Sequence, residues 1–257
     1  MENRYVVFDW DGTLHDTKKL YAESVRRAYA FLADASADRG DASLSYISAG
    51  KGDASLSGVS TGKGAGAVES SCKGFAAKSA EELSEDSLSK YLGMTAAAMW
   101  SDFMPGLEES IRAKAEKIVG DSMVELVYNK AAVLYDGVTE MLDTLKAAGF
   151  KLLILSNCKV AYLEAHKAVF DLEQWFTDYY PAQAYDFIPK EEILKLAMDK
   201  YPGEYVMIGD RYLDIKAGNE CGVKTIGCSY GFGTAEELSE ADYIADSPLD
   251  IVKIVMD

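Results

Sequence analysis

Asp9 and Asp11 stand one residue apart at the end of an apolar run, Tyr5-Val6-Val7-Phe8, and are followed by Gly12 and Thr13. Two carboxylates so close repel one another unless a cation lies between them, and a site built from oxygen ligands suits Mg2+. The same D-x-D-G-T spacing also describes a turn with an aspartate helix cap, so other residues must decide. Ser156-Asn157 closes a second apolar stretch and offers a hydroxyl and backbone N–H groups to a phosphate oxygen. Lys190 follows Pro189 and opens a helical pattern, where a cation opposes the helix dipole and implies an anionic neighbour. Gly209-Asp210 ends a third apolar stretch and Asp214 follows one helical turn later, a pair that N-capping alone would also explain.

These residues can meet only if the apolar stretches are strands of one sheet. In an open α/β sheet, ligands bind beyond the carboxyl ends of the strands, which is where each of these groups falls. Residues 5–8 are rich in β-formers and too few for an ordinary helix. Strict alternation along them predicts Asp9 and Asp11 on one side of the chain, with Trp10 turned to the core on the other. Further strands are predicted at 151–156, 177–180, 205–210, 223–228 and 242–245. Helices are predicted at 138–148, 160–170, 190–200, 212–221 and from Pro248 onward. Strands alternating with helices imply a parallel, doubly wound, Rossmann-like α/β sheet.

Between the first strand and the rest, the pattern is helical. Leu20, Tyr21, Val25, Ala28, Tyr29 and Leu32 recur at helical spacing from about Thr17 to Ala33. Ser84 is a candidate N-cap for a helix ending near Gly93, Thr95 for one at 96–103, and a longer helix is predicted at about 107–129. From about 35 to 78 the composition shifts to Ser, Gly, Ala, Asp and Lys, and the tract 39–50 is repeated at 51–62. Such a segment has little apolar surface to set against its ordering entropy. The expected organisation is therefore residues 1–16 as the first part of an α/β core, 17–133 as an inserted helical domain carrying the repeat, and 134–257 as the remainder of the core. Among the other polar residues, His15 is expected to hydrogen-bond its neighbours in a turn, and His166 and Lys167 to be solvated on a helix. Lys159 and Arg211 adjoin the site and are candidates for touching substrate.

The chain has 257 residues, 49% of them hydrophobic, with 26 Lys and Arg against 42 Asp and Glu, a formal charge of −16. That field disfavours nucleic acid and anionic membranes as partners. No apolar stretch is long enough to span a bilayer. Met1 leads into a strand within a few residues, and Cys72, Cys158, Cys221 and Cys228 form no C-x-x-C pair. The expectation is a soluble, reduced, cytoplasmic protein.

Taken together, Asp9-x-Asp11-Gly-Thr, Ser156, Lys190 and Gly209-Asp210-x-x-x-Asp214 resemble, in order, the four motifs of the haloacid dehalogenase superfamily of phosphatases. The likeness covers nearly the whole chain outside the repeat. It is greatest to the phosphoglycolate phosphatase-like subclass, which carries a helical cap between the first two motifs; Tyr91-Leu92-Gly93 and Tyr230-Gly231-Phe232-Gly233 also resemble that subclass. The usual Lys-Pro-x-Pro of the third motif is absent, and the repeat tract has no counterpart. The resemblance implies that Asp9 attacks phosphorus to form an aspartyl-phosphate, while Asp11 protonates the leaving oxygen and then activates water. It implies Mg2+ held by the Asp9 carboxylate, the Asp11 backbone carbonyl and the Asp210 carboxylate. Thr13, Ser156, Asn157 and Lys190 would bind phosphate, and Asp214 would orient Lys190 or a water on the metal. A general acid at Asp11 needs a pKa above the usual ~3.9 of aspartate, which a dry, acid-rich site is expected to supply. The expected substrate is a small phosphate ester such as phosphoglycolate or a sugar phosphate. The alternatives are a phosphotransferase of the β-phosphoglucomutase kind and a non-catalytic binding protein.

Overall fold

The computed structural model describes residues 3–37, 78–94 and 96–257. The repeat tract falls outside these residues apart from its two ends, and so does the expected cap at Thr95.

Strand β1 (Arg4–Phe8) occupies the middle of a six-stranded sheet with β2 (Lys151–Ser156), β3 (Phe176–Pro181), β4 (Glu204–Gly209), β5 (Lys224–Cys228) and β6 (Tyr243–Ala245), in the order β3-β2-β1-β4-β5-β6. All neighbours pair in parallel. The strand order reverses beside β1, the place where open sheets of this kind leave a crevice. Phe8 lies level with Ile154 of β2 and Ile208 of β4, and the amide of Asp9 donates to the carbonyl of Ile208 at 2.8 Å. The ends of three strands thus converge on Asp9.

The continuous apolar run of β1 is explained by burial on both faces. Val6 and Phe8 join Leu152 and Ile154 in one core with α5 (Val138–Ala147), α6 (Val160–Phe170) and α9 (Pro248–Met256). Tyr5 and Val7 join Leu153, Leu155 and Met207 in a second core with α7 (Lys190–Lys200). Helix α8 (Tyr212–Glu220) contacts α7, β4 and β5.

A third apolar cluster is built mainly from helices. It is made by α1 (Lys18–Ala37), α2 (Glu85–Ser89), α3 (Ala96–Phe103) and α4 (Glu109–Tyr128), with Tyr29, Leu88, Trp100, Phe103 and Ala115 among its buried members. Ser84 caps α2 as expected, its hydroxyl accepting from the Ser87 amide at 3.2 Å. Helix α1 runs on to Ala37, beyond the predicted end at Ala33. The segments that leave and rejoin the sheet pair antiparallel at His15 and Leu134, with the Asp16 amide on the Val133 carbonyl at 2.9 Å. Among the described residues, no helix is long and apolar enough to cross a membrane.

Candidate active site

Two turns beyond the strand ends set the geometry. After Phe8 the pleat of β1 stops. The amides of Leu14 and His15 both return to the carbonyl of Trp10 at 3.0 Å, and Gly12 takes a positive φ of 84°. A side chain at Gly12 would meet the carboxylate of Asp210, so this position needs glycine for both its conformation and its closeness. Opposite, β4 ends at Gly209, where a Cβ would overlap the Asp214 carboxyl. Both glycines let the acids approach the backbone.

Lys190 stands at the start of α7, buried, with its ammonium between two carboxylates: 2.8 Å to Asp9 Oδ1 and 2.5 Å to Asp214 Oδ1. The sequence argument that a lysine at a helix N-terminus needs an anionic neighbour is met by two. The other oxygen of Asp214 accepts from the Arg211 amide at 2.9 Å, so the capping explanation is also correct and the residue serves both purposes. Asp210 is fully buried and accepts from Thr13 Oγ1 at 3.2 Å and from the Phe232 amide at 2.7 Å. Asp9, Asp210 and Asp214 each offer an oxygen within 4.8 Å of the others. This all-oxygen, all-carboxylate group suits a hard divalent cation. Asp214 joins it directly, whereas the Asp11 carboxylate does not.

The electrostatics follow from this crowding. Burial pushes the Asp9 carboxyl up to about 7, with Lys190 opposing the rise and Asp214 adding to it. Asp210 is held well above the usual carboxylate range by burial and by the neighbouring Asp214 and Asp9. Burial alone would favour the neutral form of Lys190, but Asp214 and Asp9 outweigh it and hold its ammonium above the ordinary lysine value. The acids outnumber the cation that holds them.

Asp11 has a different set of partners. Its Oδ1 accepts from Thr17 Oγ1 at 2.6 Å and from the Tyr162 hydroxyl at 2.8 Å, and His15 Nδ1 lies 3.3 Å away. Burial would raise this acid, but hydrogen bonds from His15 and Thr17 and the charge His15 can carry bring it below the usual range. The expectation of a raised Asp11 is therefore corrected: the hydrogen bonds and charge supplied by His15 and Thr17, absent from the sequence argument, win over desolvation. The expected shared orientation of Asp9 and Asp11 also gives way, because alternation no longer holds past Phe8. Asp9 continues the Tyr5–Val7 face toward α7, and Asp11 is turned by the loop toward α6.

Ser156 is buried at the end of β2 and Asn157 is exposed beside it. Thr13 has its hydroxyl on Asp210, and its carbonyl accepts from the Tyr230 hydroxyl at 2.9 Å. Trp10 is buried in the core and His15 bonds its neighbour Thr17 at 2.9 Å, both as expected. His166, expected in solvent, is completely buried against Trp10, Tyr162 and His15. Its ring Nδ1 lies 2.9 Å from the Tyr162 carbonyl, and burial drives its pKa down to about 3. Lys167 is half-buried and paired with Glu164. Arg211 reaches the Leu92 carbonyl and pairs with Glu237 at 2.9 Å, so it joins the α8 loop to the helical cluster; Lys159 extends toward Gly120 of α4. Sequence reasoning did not find Tyr162, Thr17 or the Phe232 amide as partners of the acids. A polar cleft of about 380 Å³ in the helical cluster, lined by Lys78, Glu82, Lys90, Tyr91 and Asp102, contains none of the residues of the four motifs.

Comparison with known proteins agrees with this geometry. The profile of haloacid dehalogenase-like hydrolases matches residues 4–222. A phosphoglycolate phosphatase of Vibrio vulnificus is 28% identical over 158 residues, 59% of this chain and 69% of that protein. The pyrophosphatase PpaX of Bacillus velezensis is 32% identical over 132 residues, 47% of this chain and 58% of that protein. The crystal structure of a predicted phosphoglycolate phosphatase from Haemophilus somnus superposes with a TM-score of 0.72 at 19% identity, covering 99% of both chains, a likeness of fold. With the family profile spanning most of its length and the parallel sheet carrying its acids at the expected strand ends, the chain belongs to the haloacid dehalogenase-like hydrolases.

Proposed function

We propose that the protein is a Mg2+-dependent phosphomonoesterase for a small phosphorylated metabolite, working through an aspartyl-phosphate at Asp9. The observation that carries this reading is the Lys190 ammonium between Asp9 and Asp214 beside Asp210, with a second acid, Asp11, held separately by the hydroxyls of Thr17 and Tyr162.

The all-oxygen group fits Mg2+, which Asp9 and Asp210 would hold together with the Asp11 carbonyl, and Asp214 offers a further oxygen. When bound, the ion supplies positive charge that lets an anionic nucleophile approach an anionic phosphate. The Asp9 oxygen attacks phosphorus and the ester P–O bond breaks, while Asp11 gives its proton to the departing oxygen. Water then attacks the same phosphorus, Asp11 takes a proton from it, and the bond between Asp9 and phosphorus opens to release phosphate. Two displacements of moderate difficulty replace one that is hard. Asp11 is low in pKa without substrate, and the negative charge of a phosphate group beside it raises the acid toward the protonated form that the first step uses. Lys190, Ser156, Asn157 and Thr13 supply donors around the phosphoryl oxygens, and Asp214 orients Lys190.

We assign residues 17–133 as a cap hinged at the antiparallel bridge of His15 and Leu134. Phe232 packs on the helical cluster and Arg211 bonds Leu92, so the cap meets the core at the loops that hold Asp210. Closure of such a cap excludes water from the reaction. The names of the relatives, one acting on phosphoglycolate and one on pyrophosphate, support a small phosphorylated substrate. The test is a panel of phosphate esters, with pyrophosphate included, assayed with Mg2+ for the wild type and for Asp9→Asn. Release of phosphate by the wild type alone is expected; equal rates for both would end this reading.

A further inference from the structure

Asp11 uses its two oxygens unequally. Thr17, Tyr162 and His15 all address Oδ1, while Oδ2 has no hydrogen-bond partner among the described residues and the side chain is 26% exposed. The proton placements on these groups follow from their partners. Thr17 has one hydroxyl proton and gives it to Asp11, so at 2.9 Å it accepts from His15 Nδ1–H. The Nδ1 of His166 donates to the Tyr162 carbonyl, and the Nε2 atoms of both histidines remain buried without partners. These two are the only histidines of the chain, and their rings lie 4.7 Å apart.

Tyr162 has little freedom in this setting. Its ring meets His166 edge-on at 4.4 Å, within a wall that also holds Trp10 and Phe170. A buried phenol surrounded by aromatic rings and aimed at one carboxylate oxygen is a fixed donor. Leaving buried nitrogens unpaired is costly, and such groups persist where a nearby arrangement demands them.

We propose that Tyr162 is a positioning residue for Asp11. Its phenol, with the Thr17 hydroxyl backed by His15, holds Oδ1 and leaves Oδ2 as the oxygen that exchanges a proton with the leaving group and with water. A carboxyl saturated on one oxygen carries its transferable proton on the other, and the two hydroxyl donors fix the plane in which that proton points. The assignment rests on the phosphatase reading above and adds a residue to it.

A leaving group that departs without a proton separates this role from ordinary packing. The second-order constant kcat/KM reports the first irreversible step, transfer of the phosphoryl group to Asp9. For 2,4-dinitrophenyl phosphate that step needs no acid, and for an alkyl phosphate it does. The experiment measures kcat/KM with Mg2+ on 2,4-dinitrophenyl phosphate and on the alkyl ester turned over fastest in the panel. Tyr162→Phe keeps the ring and is expected to lose on the order of ten-fold on the alkyl ester, part of the ~10²–10⁴ that a positioned general acid contributes, with the aryl ester changed less than about two-fold. Thr17→Val should repeat this selective loss and Thr17→Ser restore it. Equal losses on both esters, or no loss on either, would overturn the assignment. If Asp9→Asn is inactive and Tyr162→Phe is unselective, only the role of Tyr162 falls; if Asp9→Asn matches the wild type, the phosphatase reading falls with it.

Discussion

Replacing Lys190 by Met removes the ammonium between Asp9 and Asp214 while nearly keeping the side-chain volume. Both contacts are short, 2.8 and 2.5 Å, and the lysine is 4% exposed, so water cannot take its place without opening the site. Removing one partner of a buried ion pair costs roughly 3–5 kcal/mol, and here two carboxylates lose the same cation, which puts the expectation at the upper end of that range. The acids have one escape, which is to take up protons. Asp9 already sits at about 7 in the folded chain against 3.8 as a free acid, and loss of Lys190 removes the main influence holding it down. An acid with a raised folded pKa stabilises the fold increasingly as pH falls through that value, by about 1.4 kcal/mol per unit per proton, and the gain is complete below the unfolded pKa. The deficit of Lys190→Met should therefore be largest at pH 8 and narrow as pH falls toward 7, below which Asp9 of the wild type takes up its proton as well and the Asp9 contribution stays level. Urea denaturation in chelator, followed by tryptophan fluorescence at pH 8, 7, 6 and 5, measures it directly. A deficit under about 1 kcal/mol at pH 8, the range of unremarkable surface changes, would refute the argument, as would one that does not change with pH.

The same acids should bind Mg2+ in competition with protons. Calorimetric titration should show affinity falling about ten-fold for each pH unit below 7 if one proton is displaced, and more steeply if Asp210 gives up a second; a pH-independent affinity would exclude them as ligands. His166→Phe should gain on the wild type as pH falls, because a histidine held at about 3 in the fold loses stability from its unfolded value of 6.5 downward. By pH 5 the difference should approach about 2 kcal/mol, read from the same denaturation curves. Gly209→Ala should cost about 1–3 kcal/mol by overpacking, because its methyl group overlaps the Asp214 carboxyl, and ester turnover should fall much further than melting temperature.

The sheet was legible because its central strands β1, β2 and β4 are buried on both faces and read as nearly unbroken apolar runs. Residues 151–156, 160–170 and 190–200 match their elements end for end, and the other boundaries of the sheet and its helices move by a residue or two, whereas α1 runs four residues past its predicted end and α2 stops four short of Gly93. That Asp9, Lys190, Asp210 and Asp214 meet was also legible, since each ends a strand or opens a helix next to one. The surroundings of Asp11 were not. They depend on where a turn of the chain aims a carboxylate once the pleat has ended, and the residue types give no signal of that. His166 carried a signal that its polarity overrode. It lies four residues after Tyr162 and three after Leu163, on the helix face that packs on the sheet. The Phe232 amide could not have been found from residue type, because a backbone N–H belongs to every sequence. The Gly-Phe-Gly spacing around it was visible, and side chains at Gly231 or Gly233 would overlap Asp210.

The separation of the two first-motif acids follows from a property of one short strand. Val6, Phe8 and Trp10 face the core that includes α6, so that side presents aromatic rings and neutral donors; Tyr5 and Val7 face α7, so the other presents Lys190. Asp9 keeps the second face and is tied to a full positive charge. Asp11, turned by the loop, meets the first and is tied to hydroxyls. On the phosphatase reading this division suits the two tasks. A nucleophile must be an anion throughout its approach to another anion, and a permanent cation beside it favours that state. An acid that gives and then retakes a proton needs surroundings without a permanent cation. Asp11, held low by its hydrogen-bond donors without substrate, can rise when a phosphate dianion comes beside it.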